Sequence, residues 1–535
     1  MPLPANGTAW PPKQLAPMRT KWDEWAAWYS NDLDQLTSVY TGKTRPTNIG
    51  IVRTAVRAVT RFFWGQSSAD LTATPERKLH VPVASDLCQA SSDLLFAEAP
   101  VIAVEHEDAV DEDGNAIAPP ANVKTTMERL ELITGPDFHK ALADGAETAA
   151  ALGGVYLRAT WDTSISQHPF VTTVDYDAAY PEFRWGRLVA VTFWNVVKTE
   201  GQIVWRHLER HETDAQGIGV IFHGLYQGTT DNLGHVVPLA EHPSTADLPV
   251  DADSKISTLT EGLDVFHWEN IGPNRLWRND PLGKSFGRSD LDGIEPLLDG
   301  LDEAYTSLMR DIRLGKAMLV VPQSMLTNNG PGGGASFEQN EIYAGVNAAP
   351  GSVADAKLAI EKVQFDIRVA DHEQTISLLW NQIIQSAGYS AQTFGEGGDV
   401  AVTATEVFAK ERRSGLSQGR KGRTVRPTLI ALVRKMLAID KAVFGSGVDD
   451  TLPITLELAD GIKDDPEALA RTAQMLWTAQ TASIDTRVRL VNPGKDESWI
   501  TAEVERIKQE NGIGKVADPE TVGVDGNNLS GMFGG

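Results

Sequence analysis

Few residues in this chain have the types and spacing to do chemistry. Leu282-Gly283-Lys284-Ser285 carries the Gly-Lys-Ser ending of a phosphate-binding loop, whose backbone amides cradle phosphates while the lysine reaches the terminal ones. The full pattern needs a glycine five positions before Gly283, and Arg278 stands there. Trp277-Arg278-Asn279-Asp280-Pro281 is turn-like, not a buried strand. The stretch is therefore expected to be a turn entering a helix capped by Ser289, with Asp290 and Asp292 suited to its N-terminal dipole. The acidic turn Asp111-Glu112-Asp113-Gly114-Asn115 invites calcium, but an EF-hand loop would need an acid at Ala109 and a glutamate at Pro120. His207, His211 and His223 lie on strand-like segments, where surface or cross-strand places are commoner than metal ligation, and cysteine backs no zinc-like spacing. Cys88, the single cysteine, has no histidine near it in sequence and is expected as a small packed residue. No catalytic residue, metal or cofactor is expected, and the chain is not expected to be an enzyme.

The elements around these residues belong to a folded protein. The 535 residues suffice for several packed units, with 41% hydrophobic and 22% charged residues. The single cysteine suits a reducing compartment. No apolar run approaches the length of a membrane span, and Met1-Pro2-Leu3-Pro4 lacks the start of a signal peptide. A net charge of −24 argues against general adhesion to nucleic acid or anionic membranes, although a surface that repels phosphate can guide DNA without holding it.

The periodicities mark the elements. Trp22, Trp25, Trp28 and Tyr29, then Leu33, Leu36 and Tyr40, fall on helical spacing as a buried aromatic stripe. Val81–Phe96 is expected as a helix buried through Leu87, Ala90, Leu94 and Leu95. Val101–Val104 is expected as one arm of a hairpin turning at 111–115, with helix again from Val123 to about Gly153. Strand-like runs at 155–158, 171–174, 188–194, 203–206 and 220–223, separated by turn residues, predict a mostly antiparallel meander.

The stretch from Ser289 to about Gly445 is the most informative. Ile294, Leu298, Leu301, Tyr305, Leu308 and Ile312 alternate gaps of four and three, a heptad seam suited to packing against a returning helix or a neighbour. Ala317–Val321 is strand-like, closed by Pro322, and Asn328–Gly334 breaks regular structure. A second helix to Gly388 is poor in large apolar residues between Asp366 and Gln374; its lower part should be solvated, with Asp366, Asp371 and Glu373 making it negative. A small-residue loop precedes a long basic helix carrying Lys410, Arg412, Arg413, Arg420, Lys421, Arg423 and Arg426, with Pro427 as a kink position. Both inter-subunit ion pairing and contact with DNA phosphates suit that basic run.

Taken in order, several segments resemble those of portal proteins of long non-contractile-tailed bacteriophages. They are Trp25–Tyr40; His80–Ala84 through Leu94–Pro100 with its Phe-x-Glu-x-Pro ending; Gly153–Arg158 with Trp161-Asp162; and Gly283–Leu291 with Asp299 and Tyr305. Asp464–Glu467 through Ser483 and Thr486 to Glu503–Ile507 completes the set. The resemblance spans nearly the whole chain, and it rests on the order and spacing of these segments.

The resemblance implies an α+β portal fold with an α/β wing, helical stem, small β-containing clip and α-helical crown. It places the wing at 1–288, a descending stem helix at 289–313, the clip at 314–354 and an ascending stem helix at 355–388. A tunnel loop at 389–402 would follow, with Gly395, Glu396, Gly397, Gly398 and Asp399 at its centre. The wing helix and return strand would occupy 403–460, the crown 461–511 and a flexible tail 512–535. It further implies a ring, commonly of twelve subunits, at one capsid vertex of the virion, assembled in the host cytoplasm. Double-stranded DNA would pass through its channel during packaging and ejection. Its partners would be the terminase large subunit, a head-tail adaptor, the major capsid protein and scaffolding protein, with no membrane. Another vertex or head-tail adaptor protein is the alternative, though adaptors are usually much shorter. A packaging enzyme is disfavoured by the incomplete phosphate loop and the lack of clustered metal-binding acids.

Overall fold

The computed structural model describes residues 3–40, 78–106, 119–314, 318–322, 327–328, 335–336, 343–346, 361–363, 368–395, 404–458, 466–492, 495 and 497–511. The architecture is mixed α+β, with open sheets and several helices. The chain divides into two units, Met1–Asp399 with Ala409–Gly461, and Val400–Phe408 with Ile462–Gly535. Among the described residues, no helix is long and apolar enough to cross a membrane.

In the first unit, α1 (Ala16–Ser30) carries Met18, Trp22, Trp25 and Trp28 on one buried face and ends where Asn31 turns left-handed, before α2 (Leu33–Tyr40). The aromatic stripe is core. Trp22 meets Phe286 edge-on at 5.2 Å and also contacts Tyr176 and Trp277. Helix α3 (Val83–Phe96) buries Leu87, Cys88 and Leu95. The expected helix from Val123 is two, α4 (Ala121–Ile133) and α5 (Pro136–Leu152), because Pro136 after Gly135 starts a new helix. Helix α5 ends at Gly153, where φ is +96° and a Cβ would meet the Gly287 carbonyl oxygen at 2.7 Å, so only glycine fits.

The expected hairpin of Val101–Val104 is not the pairing found. Strand β1 (Val101–Val104) pairs antiparallel with Ile454–Glu457, and the turn at 111–115 lies outside the described residues. Strands β2 (Gly154–Thr160) and β3 (Phe170–Asp175) form a three-stranded sheet with Val265–Glu269. Strands β4 (Ala179–Arg184), β5 (Arg187–Glu200), β6 (Ile203–Thr213), β7 (Ile218–Thr229) and β8 (Asn232–Val237) make an antiparallel meander; β9 (Lys255–Glu261) also pairs with β7, and β10 is Val265–Glu269.

Helix α6 (Glu295–Leu314) starts later than expected, and Ser289 does not cap it. The Ser289 hydroxyl donates instead to the Ala150 and Ala151 carbonyls and accepts from the Leu291 amide, and the chain turns at Gly293 before Glu295. After α6 come β11 (Met318–Pro322), β12 (Thr327–Asn328), β13 (Ala335–Ser336), β14 (Tyr343–Val346) and β15 (Glu361–Val363). Strand β11 lies between β14, parallel to it, and β15, antiparallel. The returning helix α7 (Val369–Ala387) therefore begins well after residue 355, with a strand occupying part of the segment expected as helix. Helix α8 (Ala404–Phe444) runs through Pro427, and β16 (Ile454–Glu457) follows.

The second unit contains α9 (Pro466–Thr478), α10 (Ile484–Val491) and α11 (Glu497–Glu510). Val488, Ile500 and Val504 form its small core, and the Ser483 hydroxyl caps α10 by accepting from the Thr486 amide at 3.1 Å.

Because Trp22 is fully buried against Tyr176, Trp277 and Phe286, Trp22→Ala should destabilise the first unit by about 3–5 kcal/mol. Denaturant unfolding checks this; a loss below about 1 kcal/mol would contradict the assigned core.

Candidate functional site: the arginine helix and the helical hairpin

Lysine 421 was expected on a basic surface, and the structure buries it. Its side chain is 2% exposed. The ammonium donates to Asp290 Oδ2 at 2.5 Å, to Tyr389 OH at 3.1 Å and to the Ser91 hydroxyl. Tyr389 OH donates to the same Asp290 oxygen at 2.6 Å, and Asn270 Nδ2 donates to the other at 2.9 Å. Burial, then the Asp290 charge, pushes the Tyr389 phenol well above its usual range, so it stays a donor. Asp290 thus serves as the counter-ion of a buried lysine, where the sequence pointed to a helix-dipole residue. One ammonium joins α3, the turn before α6, the residue after the α7 C-cap, and α8. Further along α8, the buried Lys435 donates to the carbonyls of Thr260, Glu261 and Gly262.

The opposite face of α8 is basic. Arg412, Arg413, Arg420, Arg423, Arg426 and Arg434 are exposed. At 100° per residue they fall within about 140° of arc and span about 33 Å of helix. Among the described residues, none of them pairs with an acid. Arg434, about two turns beyond Arg426, continues the same helical stripe in the sequence. Lys410 lies on the helix, and its side chain is outside the described residues.

Helices α6 and α7 pack on one another as a hairpin. The seam is uneven along its length. Ile294, just before α6, and Leu298 and Leu301 are buried against Ile383 and Ile384, and Tyr305 packs at the edge of that core. Leu308 is half-buried and Ile312 is 41% exposed. Met309, Val369 and Leu378 are exposed as well, Leu378 at 65%. The distal end is held by polar contacts: Asp311 accepts from His372 at 2.9 Å and lies 3.7 Å from Arg368. The His372 hydrogen bond is the main cause of Asp311's lowered pKa.

Of the acids expected to line a channel, Asp371 and Glu373 are exposed on the first turns of α7, and Asp366 lies outside the described residues. Gly395 ends a short helical turn at Ala391–Phe394 with φ +80°, while Glu396, Gly397, Gly398 and Asp399 lie outside the described residues. Gly283–Ser285 is a single turn, with the amides of Leu282 and Gly283 turned onto the Asp280 carboxylate.

The three histidines form a cross-strand network. His207 and His223 stack, with Nε2 of one 3.1 Å from Nδ1 of the other. His211 is fully buried between Asp264 at 2.9 Å and Glu209 at 2.7 Å, and Arg158 reaches Glu209 at 2.5 Å. Burial works against charge here, but Asp264 and Glu209 override it and raise the His211 pKa from 6.5 to about 9. Burial also pushes Glu209 upward, yet Arg158 and His211 hold it well below the usual carboxylate range. Among the described residues, no group of three His, Cys, Asp or Glu is placed to hold a metal ion.

No family model matches this chain, and no curated protein matches it. Among solved structures, it is similar to a chain in the neck of an empty GTA particle computed with C6 symmetry. The identity is 13%, covering 77% of this chain and 90% of that one, with a TM-score of 0.34. It is also similar to a chain in the neck of a native GTA particle computed with C12 symmetry, at 12% identity over 79% and 94%, with a TM-score of 0.36.

The His211 network makes stability depend on pH. The folded state keeps a proton that the unfolded chain releases above pH 6.5, so this stabilisation is complete below pH 6.5 and is lost as pH rises through about 9. Between those limits the wild type should lose a few kcal/mol, roughly, relative to His211→Gln, as read from denaturant midpoints. Parallel pH profiles for the two proteins would contradict the assignment.

Proposed function

We propose that this chain is the subunit of a ring-shaped portal of a tailed bacteriophage, a structural protein without catalytic activity. The ring sits at one capsid vertex, passes double-stranded DNA during packaging and ejection, and docks the terminase and the head-tail connector. The observation that carries this reading is the seam of the α6–α7 hairpin, which is buried at its base and bare at its far end. Met309 and Ile312 near the end of α6, and Val369 at the start of α7, are exposed apolar side chains there, not covered among the described residues. A ring covers them by reusing the same face in every copy. The sequence resemblance supports the same reading.

On this reading the hairpin is the stem, the unit holding the sheets is the wing, β11–β15 belong to the clip, and α9–α11 form the crown. The exposed acids Asp371 and Glu373 face the channel, where a negative wall lets DNA slide. Residues 389–402 correspond to the tunnel loop on the same reading. The particulars of twelve subunits, terminase and adaptor come from the family resemblance.

Negative-stain microscopy of the purified protein tests the proposal: rings with a central hole are expected. Ile312→Glu with Val369→Glu should yield folded monomers. Rings persisting in that variant, or a wild type that stays monomeric across concentration and salt, would contradict it.

Charge reversal by Arg412→Glu with Arg413→Glu separates two roles for the arginine face. Loss of rings would make it a subunit interface. Intact rings with failed packaging would make it a DNA-facing surface. Normal rings together with normal phage yield would refute a functional role for this face.

A further inference from the structure

The β4–β5 turn is built against its own stability. Its central residues, Trp185 and Gly186, both have positive φ, 54° and 76°. That is the backbone of a type I′ turn, where Asn or Asp before Gly is usual because a bulky side chain is strained in the left-handed region. Trp185 is 97% exposed, so the strain is not returned as packing. Arg184 and Arg187 flank it, directly opposite each other across the two strands. Like charges in that position weaken the pairing. Both arginines are exposed, and among the described residues neither has an acidic partner. One tip therefore carries three local costs that nothing among the described residues offsets.

Tryptophan and arginine are the residues that dominate binding energy where proteins meet. We propose that this tip is an anchor that docks on an acidic surface of a second copy of the chain. Two copies at −24 each repel one another over most of their surfaces. A protruding pair of arginines set against the neighbour's acids reverses that repulsion at one point, and the indole supplies the apolar contact between them. A DNA duplex or an anionic bilayer would attract the arginines but be repelled by the acidic body around them. This inference rests on the ring reading, since a contact between the tip and a different patch of the neighbour is heterologous and closes by rotation.

Photo-cross-linking of the full chain tests it, with p-benzoylphenylalanine incorporated at position 185 so that an aromatic side chain is kept. Oligomer size is measured on the same sample before irradiation, and parallel samples contain duplex DNA or anionic phosphatidylserine vesicles. The expected result is covalent dimers and higher multimers, mapping to an acidic segment and falling about tenfold when Arg184→Glu and Arg187→Glu are added. Rings that give no inter-subunit product would overturn the anchor and leave the ring reading standing. Monomers before irradiation would overturn both. Cross-linking to DNA or lipid in place of a second copy would overturn the choice of partner.

Discussion

A buried ammonium needs a counter-ion and donors' partners on every side, and the elements that carry them cannot drift apart. Lys421 imposes that constraint. Asp290, Tyr389 and Ser91 come from separate parts of the first unit, and each is held by the same nitrogen. Removing one charge would leave the other stranded in a low-dielectric interior, a far larger penalty than losing a surface ion pair. The junction therefore fixes where α6 leaves the body, where α7 returns to it and how α8 crosses it.

Both candidate surfaces follow from that anchoring. The α6–α7 hairpin is packed at its base, beside the junction, and becomes barer toward the β11–β15 strands, so its distal apolar residues are presented at the end of a fixed lever. On α8, Lys421 and Lys435 point into the protein, which turns the arginine stripe outward along the same helix. The polarity of α8 is thus decided from inside: two buried lysines orient it, and the arginines occupy the face left over.

Much of this was legible in the sequence because it depends on short spacings. The tryptophan stripe of α1, the heptad seam of α6 and the alternation of the meander strands each involve neighbours within one element. Other features depend on partners far along the chain. Lys421 looked like one more cation in a basic run; its counter-ion lies 131 residues away, and no local pattern links them. For the same reason local spacing suits Asp290 to a helix dipole and Ser289 to a cap, while the structure gives both other partners. Local spacing suggests a hairpin partner for strand β1, but its partner is β16, which follows α8. The break at Gly135-Pro136 is marked by local rules, but the helical apolar pattern continues across it and masks it.

A double-mutant cycle at the Lys421–Asp290 pair tests the central claim most directly. Denaturant unfolding would compare the wild type, Lys421→Met, Asp290→Asn and the double variant. The account predicts that Lys421→Met alone costs about 3–5 kcal/mol, because Asp290 is left buried and unpaired. It also predicts that the double variant costs less than the sum of the singles by at least about 1 kcal/mol. A small single-variant loss, or losses that simply add, would show that this junction does not hold the hairpin and the arginine helix in place.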